Sequence, residues 1–189
     1  MIDDVAEKYF MSRPYRDHPN PKIAVFFLAC SGSGKTSVTE AIVSQFGATS
    51  LSNDDARQFI RELDLVISPR LILHKTWDKL RAETPNGFIV FDSSMSNYYN
   101  HEDSYYKTAI HLGYSTFIIA IDLSKEELES RVRDRGRYDT NEVLKLLPDQ
   151  LESQHKAMAV LNPNYVLSKN SNIDSLLANL RDFIDTQIT

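Results

Sequence analysis

Eight consecutive residues early in the chain, Ala29-Cys30-Ser31-Gly32-Ser33-Gly34-Lys35-Thr36, combine small side chains with two glycines, a lysine and a hydroxyl. This is a phosphate loop, the Walker A pattern. Residues as small as Ser31, Gly32, Ser33 and Gly34 let consecutive backbone N–H groups turn inward as a nest for phosphate oxygens. Lys35 supplies a mobile positive charge, and Thr36, with Ser37 beside it, supplies hydroxyls where a nucleotide and its Mg²⁺ would lie. Ala29 stands where the pattern is usually written with Gly. That position ends the preceding strand and needs no positive φ, so the change is tolerable.

Two further clusters have the right chemistry for the rest of a phosphoryl transfer. In "SNDDARQ", residues 52–58, Asp54 and Arg57 are one helical turn apart and share a face. An Asp near a γ-phosphate accepts the proton of an attacking hydroxyl, and an Arg beside it holds an anionic group on the acceptor. The same residues also make an ordinary acidic helix start, with Asn53 as cap, and composition leaves both readings open. In "RVRDRGRYDT", residues 131–140, Arg131 and Arg135 form one i, i+4 face, Arg133 and Arg137 another, and Gly136 breaks the helix. An arginine on such a lid closes over transferring charge; a solvated helix end with basic residues is the plainer alternative. Asp92, which follows the apolar run "FIVF", is the expected second metal ligand.

The elements that must position these groups are legible from periodicity. Ile2, Val5, Ala6, Tyr9 and Phe10 mark a short N-terminal helix, and the proline-rich residues after it a loop, so that 1–21 precede the core. The unbroken apolar run 23–28 reads as a strand buried on both faces, 88–92 as a second buried strand ending at Asp92 and 115–123 as a third long apolar strand, with shorter strands at 48–52 and 165–168. Between them lie helical patterns after Lys35, over 53–63, from Pro69 with the stripe Leu73, Trp77 and Leu80, around 104–112, over 125–133, over 141–160 and over 173–184. Ser124 with Glu127, and Asp139 with Glu142, have capping-box spacing. Strands alternating with helices predict an α/β fold around a mainly parallel sheet. Tyr98, Tyr99, Tyr105 and Tyr106 are candidates to stack on a base, or else packing residues.

A chain of 189 residues with 42% hydrophobic and 25% charged residues is most simply one domain, 1–189. No apolar run reaches the length of a membrane span, the N-terminus has no basic signal region, and Cys30 is the lone cysteine. A cytoplasmic protein without disulfides is the expectation. The net charge of −5 argues against broad, non-specific binding of long duplex DNA. A GTPase would carry an Asn-Lys-x-Asp segment, which the sequence lacks.

The order phosphate loop, Asp-Asp-x-Arg-Gln, strand-Asp, Arg-x-x-x-Arg-Gly resembles the phage-type polynucleotide 5′-hydroxyl kinases and the wider P-loop kinase group that includes zeta-toxin-like kinases. The resemblance covers about residues 22–150. It implies a P-loop kinase core of about five strands between helices, with a short helical Arg-rich lid. It implies an ATP- and Mg²⁺-dependent transfer to a hydroxyl, a DNA or RNA end being the leading acceptor. Lys35 and Thr36 would bind ATP and Mg²⁺, Asp54 would be the base and Arg57 would hold the acceptor's phosphate. Asp92 would support the metal, and Arg131 and Arg135 would be lid arginines. A nucleoside, nucleotide sugar, antibiotic or hydroxymethylated DNA base is the alternative acceptor, and a regulatory ATPase without acceptor is the alternative class. The segment 93–106 matches no pattern of the group.

Overall fold

The computed structural model describes residues 2–12, 22–83, 87–102, 104–136 and 139–188. In chain order the elements are α1 (Ile2–Met11), β1 (Ile23–Ala29), α2 (Lys35–Phe46), β2 (Thr49–Leu51), α3 (Asn53–Glu62), α4 (Pro69–Glu83), β3 (Phe88–Ser94), α5 (Tyr105–His111), β4 (Ser115–Ile121), α6 (Lys125–Asp134), α7 (Thr140–Leu161), β5 (Tyr165–Leu167) and α8 (Ile173–Ile188). The strands form one sheet in the order β2-β3-β1-β4-β5, and every pairing is parallel. The chain runs outward from β1 to β2, fills in β3, then crosses to the other side of β1 for β4. A parallel sheet wound this way brings ligands to the carboxyl ends of its strands, where the winding changes direction.

All seven residues of β1 are buried, which explains its unbroken apolar sequence. Its side chains alternate between two cores. Ala24, Phe26 and Leu28 pack with α1, α3, α4 and α5, whereas Ile23, Val25, Phe27 and Ala29 pack with α2, α6 and α8. Phe91 anchors the first core: its ring stacks on Phe26 at 4.8 Å and on Tyr105 at 5.2 Å and meets Trp77 edge-on at 5.2 Å. Trp77 is fully buried, as its place in an apolar stripe predicts.

Several local expectations are refined. The N-cap of α3 is Ser52, not Asn53: the Ser52 Oγ accepts from the backbone N–H of Asp54 and Asp55. The box at Ser124 and Glu127 forms, but Asp139 makes no side-chain cap, because its backbone (φ −96°, ψ 10°) is not the extended conformation that aims an N-cap oxygen at the helix. β3 runs two residues past Asp92, and the Met95 N–H donates to the Phe27 carbonyl at 2.9 Å. α7 carries Pro148 in its interior. The loop expected over 13–21, the Asn86 turn and the lid residues Arg137 and Tyr138 lie outside the described residues. No helix among the described residues is long and apolar enough to cross a membrane.

Phe91→Ala should cost about 3–5 kcal/mol, because three aromatic partners lose their shared surface. Urea denaturation checks this; a loss below about 1 kcal/mol would mean that the first core collapses around the gap.

Candidate active site

The phosphate loop joins the carboxyl end of β1 to the amino end of α2, and two left-handed glycines give it its shape. Gly32 has φ +83° and Gly34, which caps α2, has φ +96°. A Cβ on Gly32 would also stand 2.8 Å from Val132 Cγ2 and 3.3 Å from the Leu128 carbonyl oxygen, both on α6. Gly32 is therefore required twice, by its backbone angle and by the close approach of α6. The loop and the first N–H groups of α2 together have the form of an anion site.

Two other helices hold the loop. From α6, Arg131 donates to the Ser33 carbonyl at 3.2 Å and packs over Gly34. From α7, the Gln150 Oε1 accepts from the Ser31 N–H at 2.8 Å. One turn on, the buried Gln154 accepts from the Cys30 thiol at 3.1 Å and donates to the Ile121 carbonyl at 3.0 Å. Cys30 is a buried packing residue, and burial pushes its thiol up to about 11, opposed by the charge of Lys35.

An open cleft of about 260 Å³ lies at the carboxyl edge of β1, β2 and β3. It brings together Ser31, Lys35, Asp54, Arg57 and Asp92, which are spread over just more than sixty positions of sequence. Lys35 Nζ donates to the Cys30 carbonyl at 3.0 Å. Burial holds its ammonium below the usual lysine value; Asp92, then Cys30, oppose this, Arg135 adds to it, and Asp54 opposes it. Burial lifts the Asp92 carboxyl above the usual aspartate value, against a hydrogen bond from the Thr36 hydroxyl and the charge of Lys35. The Thr36 hydroxyl and the Asp92 carboxylate thus converge as two hard oxygen donors. Such a pair fits an ion of the Mg²⁺ type that takes its remaining ligands from nucleotide phosphates and water.

Asp54 lies in the first turn of α3, where it accepts from Arg57 Nη1 at 2.7 Å. Both side chains are exposed, so this pair is weak and the guanidinium can re-aim. Thr36 and Ser37 are exposed in the first turn of α2. Arg135 ends α6 as an exposed residue, close enough to add its charge to the field on Lys35. Arg133 is turned to Glu129 at 4.0 Å. Of the four tyrosines, Tyr98 lines the cleft, whereas Tyr105 is buried, Tyr106 meets Phe26 edge-on and Tyr99 packs against the first core.

The cleft also contains residues that sequence reasoning missed: Asn53, Ser93, Ser94, Ser96, Asn97 and Gln150. Asn53 donates through its backbone and its Nδ2 to Ser93 Oγ, at 3.4 and 3.1 Å. Ser94 Oγ accepts from the Ala29 N–H at 3.3 Å and bonds Ser96 Oγ at 2.9 Å. The polar run after Asp92 was the only signal for the serines. Gln150 had none, since it is one polar residue among many on a long helix.

Comparison with solved structures gives this architecture a class: the α/β fold, with its five-stranded parallel sheet flanked by helices, is that of P-loop kinase structures. A gluconokinase from Sinorhizobium meliloti 1021 superposes with a TM-score of 0.57 at 18% identity, over 89% of this chain and 96% of that one. The APS kinase of Mycobacterium tuberculosis, in complex with AMPPNP and APS, gives 0.54 at 19% identity over 88% and 98%. A shikimate kinase from Bacteroides thetaiotaomicron gives 0.53 at 11% identity over 86% and 98%. In sequence, the chain is 33% identical over 141 residues to UMP-CMP kinase 1 of Oryza sativa subsp. japonica, a match covering 65% of this chain and 56% of that protein. The match thus spans little more than half of that relative's length. No protein-family model matches the chain.

Gly32→Ala should weaken binding of AMP-PNP by about tenfold or more, since a left-handed backbone alone costs a residue with a Cβ about 1–2 kcal/mol. Calorimetric titration checks this, and affinity within about twofold of the parent would show that the loop accommodates a Cβ. Raising the Cys30 thiol from 9.0 to about 11 predicts a thiolate population about 100-fold below that of an ordinary cysteine at pH 8. Iodoacetamide should therefore modify Cys30 slowly in the native protein, faster as pH rises, and at the ordinary rate in urea.

Proposed function

We propose that this chain is an ATP-dependent phosphotransferase that moves the γ-phosphate to the hydroxyl of a small-molecule acceptor. The observation that carries this reading is the meeting of Lys35, Asp54 and Asp92 in one cleft beside a glycine-built anion nest. Three parts of the sequence contribute, and each supplies what the transfer needs.

The nest from Ser31 to Thr36, with Ser37, holds the donor's phosphates through the backbone N–H groups that Gln150 and the Cys30 carbonyl leave free, and Lys35 carries positive charge to the transferring group. Thr36 and Asp92 would hold Mg²⁺, which neutralises phosphate charge when bound. Asp54 aligns the acceptor hydroxyl and takes its proton as the acceptor oxygen bonds to phosphorus and the bond to the ADP oxygen breaks. Arg57 steadies Asp54 through Oδ1 and is placed to reach an anionic group on the acceptor. Arg131 and Arg135 flank the phosphate loop from α6 and supply charge at the transition state. Catalysis of this type is mostly positioning and electrostatics, which suits a loop held by three helices.

The resemblance in motif order implies a polynucleotide 5′-hydroxyl as acceptor. The relatives found by comparison have names that carry small acceptors: UMP or CMP, APS, shikimate and gluconate. Together with an acidic chain, this favours a small molecule.

Asp54→Asn should lower kcat by about 100-fold or more while the Kd for AMP-PNP changes by less than about threefold. Transfer of labelled γ-phosphate and calorimetry measure the two. Retained turnover in the Asn variant would remove Asp54 as the base. Release of phosphate to water alone, with every acceptor refused, would favour a regulatory ATPase.

A further inference from the structure

We infer that the acceptor is a small polyhydroxylated molecule of the carbohydrate type, gripped by Ser93, Ser96, Asn97 and Gln150. This rests on the phosphotransferase reading above. Beside and beyond the donor nest the cleft is lined by hydroxyl and amide side chains: Asn53, Ser93, Ser94, Ser96, Asn97 and Gln150. Hydroxyls and primary amides each donate and accept hydrogen bonds, and so do the hydroxyls of a sugar or polyol. A phosphate monoester dianion only accepts, and a nucleobase presents a flat face and a fixed edge.

Charge and aromatic surface agree. The lining pairs two cations, Lys35 and Arg57, with two carboxylates, Asp54 and Asp92. Lys35 faces the donor, so among the described residues one guanidinium remains for the acceptor. That suits a neutral polyol or one carrying a single carboxylate. A nucleotide phosphate is normally read by clustered arginines, and a polynucleotide end by a basic track. Stacking is equally sparse: Tyr105 and Tyr106 belong to the first core, and Tyr98 gives the cleft one ring.

Gln150 links the two halves of the site. Its Oε1 accepts from the Ser31 N–H, and its Nε2, with no partner among the described residues, remains able to donate to a ligand. Ser93 and Ser96 are held in place by their bonds to Asn53 and Ser94. The two serines are therefore positioned before the acceptor arrives.

The test is transfer of labelled γ-phosphate to D-glucose, D-ribose, xylitol, glycerol and D-gluconate, against uridine, UMP, CMP and a 5′-hydroxyl oligonucleotide. At least one polyol should be phosphorylated with kcat/KM about tenfold or more above every nucleotide and the oligonucleotide, the worth of one or two matched hydrogen bonds. Asn97→Ala and Gln150→Ala should each raise KM for that polyol by about tenfold, the worth of one or two hydrogen bonds. For Asn97→Ala the Kd of AMP-PNP should stay within about threefold of the parent. Preferred transfer to UMP, CMP or the oligonucleotide would overturn the inference and leave the phosphotransferase reading standing. An unchanged polyol KM in both variants would overturn the assigned grip. AMP-PNP binding with no transfer to any acceptor would sink both readings together.

Discussion

The architecture of the site depends on one backbone requirement. Phosphate is to be held by N–H groups, so the chain must expose consecutive N–H groups just beyond a strand, in angles that only glycine adopts without strain. Gly32 and Gly34 satisfy this at φ +83° and +96°. The lack of a side chain on Gly32 then does a second job, because it lets α6 approach until Val132 nearly touches the Cα region. That contact sets Arg131 against the Ser33 carbonyl and brings Arg135 within electrostatic reach of Lys35. Arg131 and the end of α6 are thus anchored against the loop.

The loop is rigid because its surroundings are. β1 is buried along its whole length, between two cores that take alternate side chains. A shift of one residue would exchange those faces, so the strand delivers the loop to a fixed place. On the far side the two glutamines of α7, one turn apart, take the Ser31 N–H and the Cys30 thiol. Burying Gln154 is tolerable because its amide is satisfied at both ends, by Cys30 and by the carbonyl of Ile121. Three helices and a strand therefore converge on six or so residues of loop.

Around this anchor, parallel pairing does the rest. Every strand of the sheet points the same way, so the segments following β1, β2 and β3 emerge on one edge. Lys35, Asp54 and Asp92 need no special signal to meet; they need only to follow their strands closely. The desolvated Lys35 ammonium and Asp92 carboxylate moderate each other's burial, and Thr36 adds its hydroxyl. The site is a small group of charges held short of their ordinary hydration, which is where phosphoryl chemistry gains from fixed dipoles.

Local pattern alone was enough for much of this. The apolar runs, the glycines of the loop, the Ser124 box and the buried Trp77 are short-range features, and each follows from period, volume or backbone angle. The candidate chemistry was legible to the extent that Lys35, Asp54 and Asp92 each follow a strand closely, which is a local feature. What the sequence by itself could not determine was which neutral residues share the cleft. Asn53, Ser96, Asn97 and Gln150 are ordinary surface residue types, and Gln150 lies more than a hundred positions from the Ser31 N–H it accepts from. Nor could the tyrosine-rich segment be divided in advance: Tyr105 and Tyr106 turn inward to Phe91 and Phe26 while Tyr98 borders the cleft. Those choices depend on which helix face meets which strand, a matter of packing between distant elements. Periodicity and charge therefore determined the phosphate-loop side of the cleft, and tertiary structure decided which neutral residues line the rest of it.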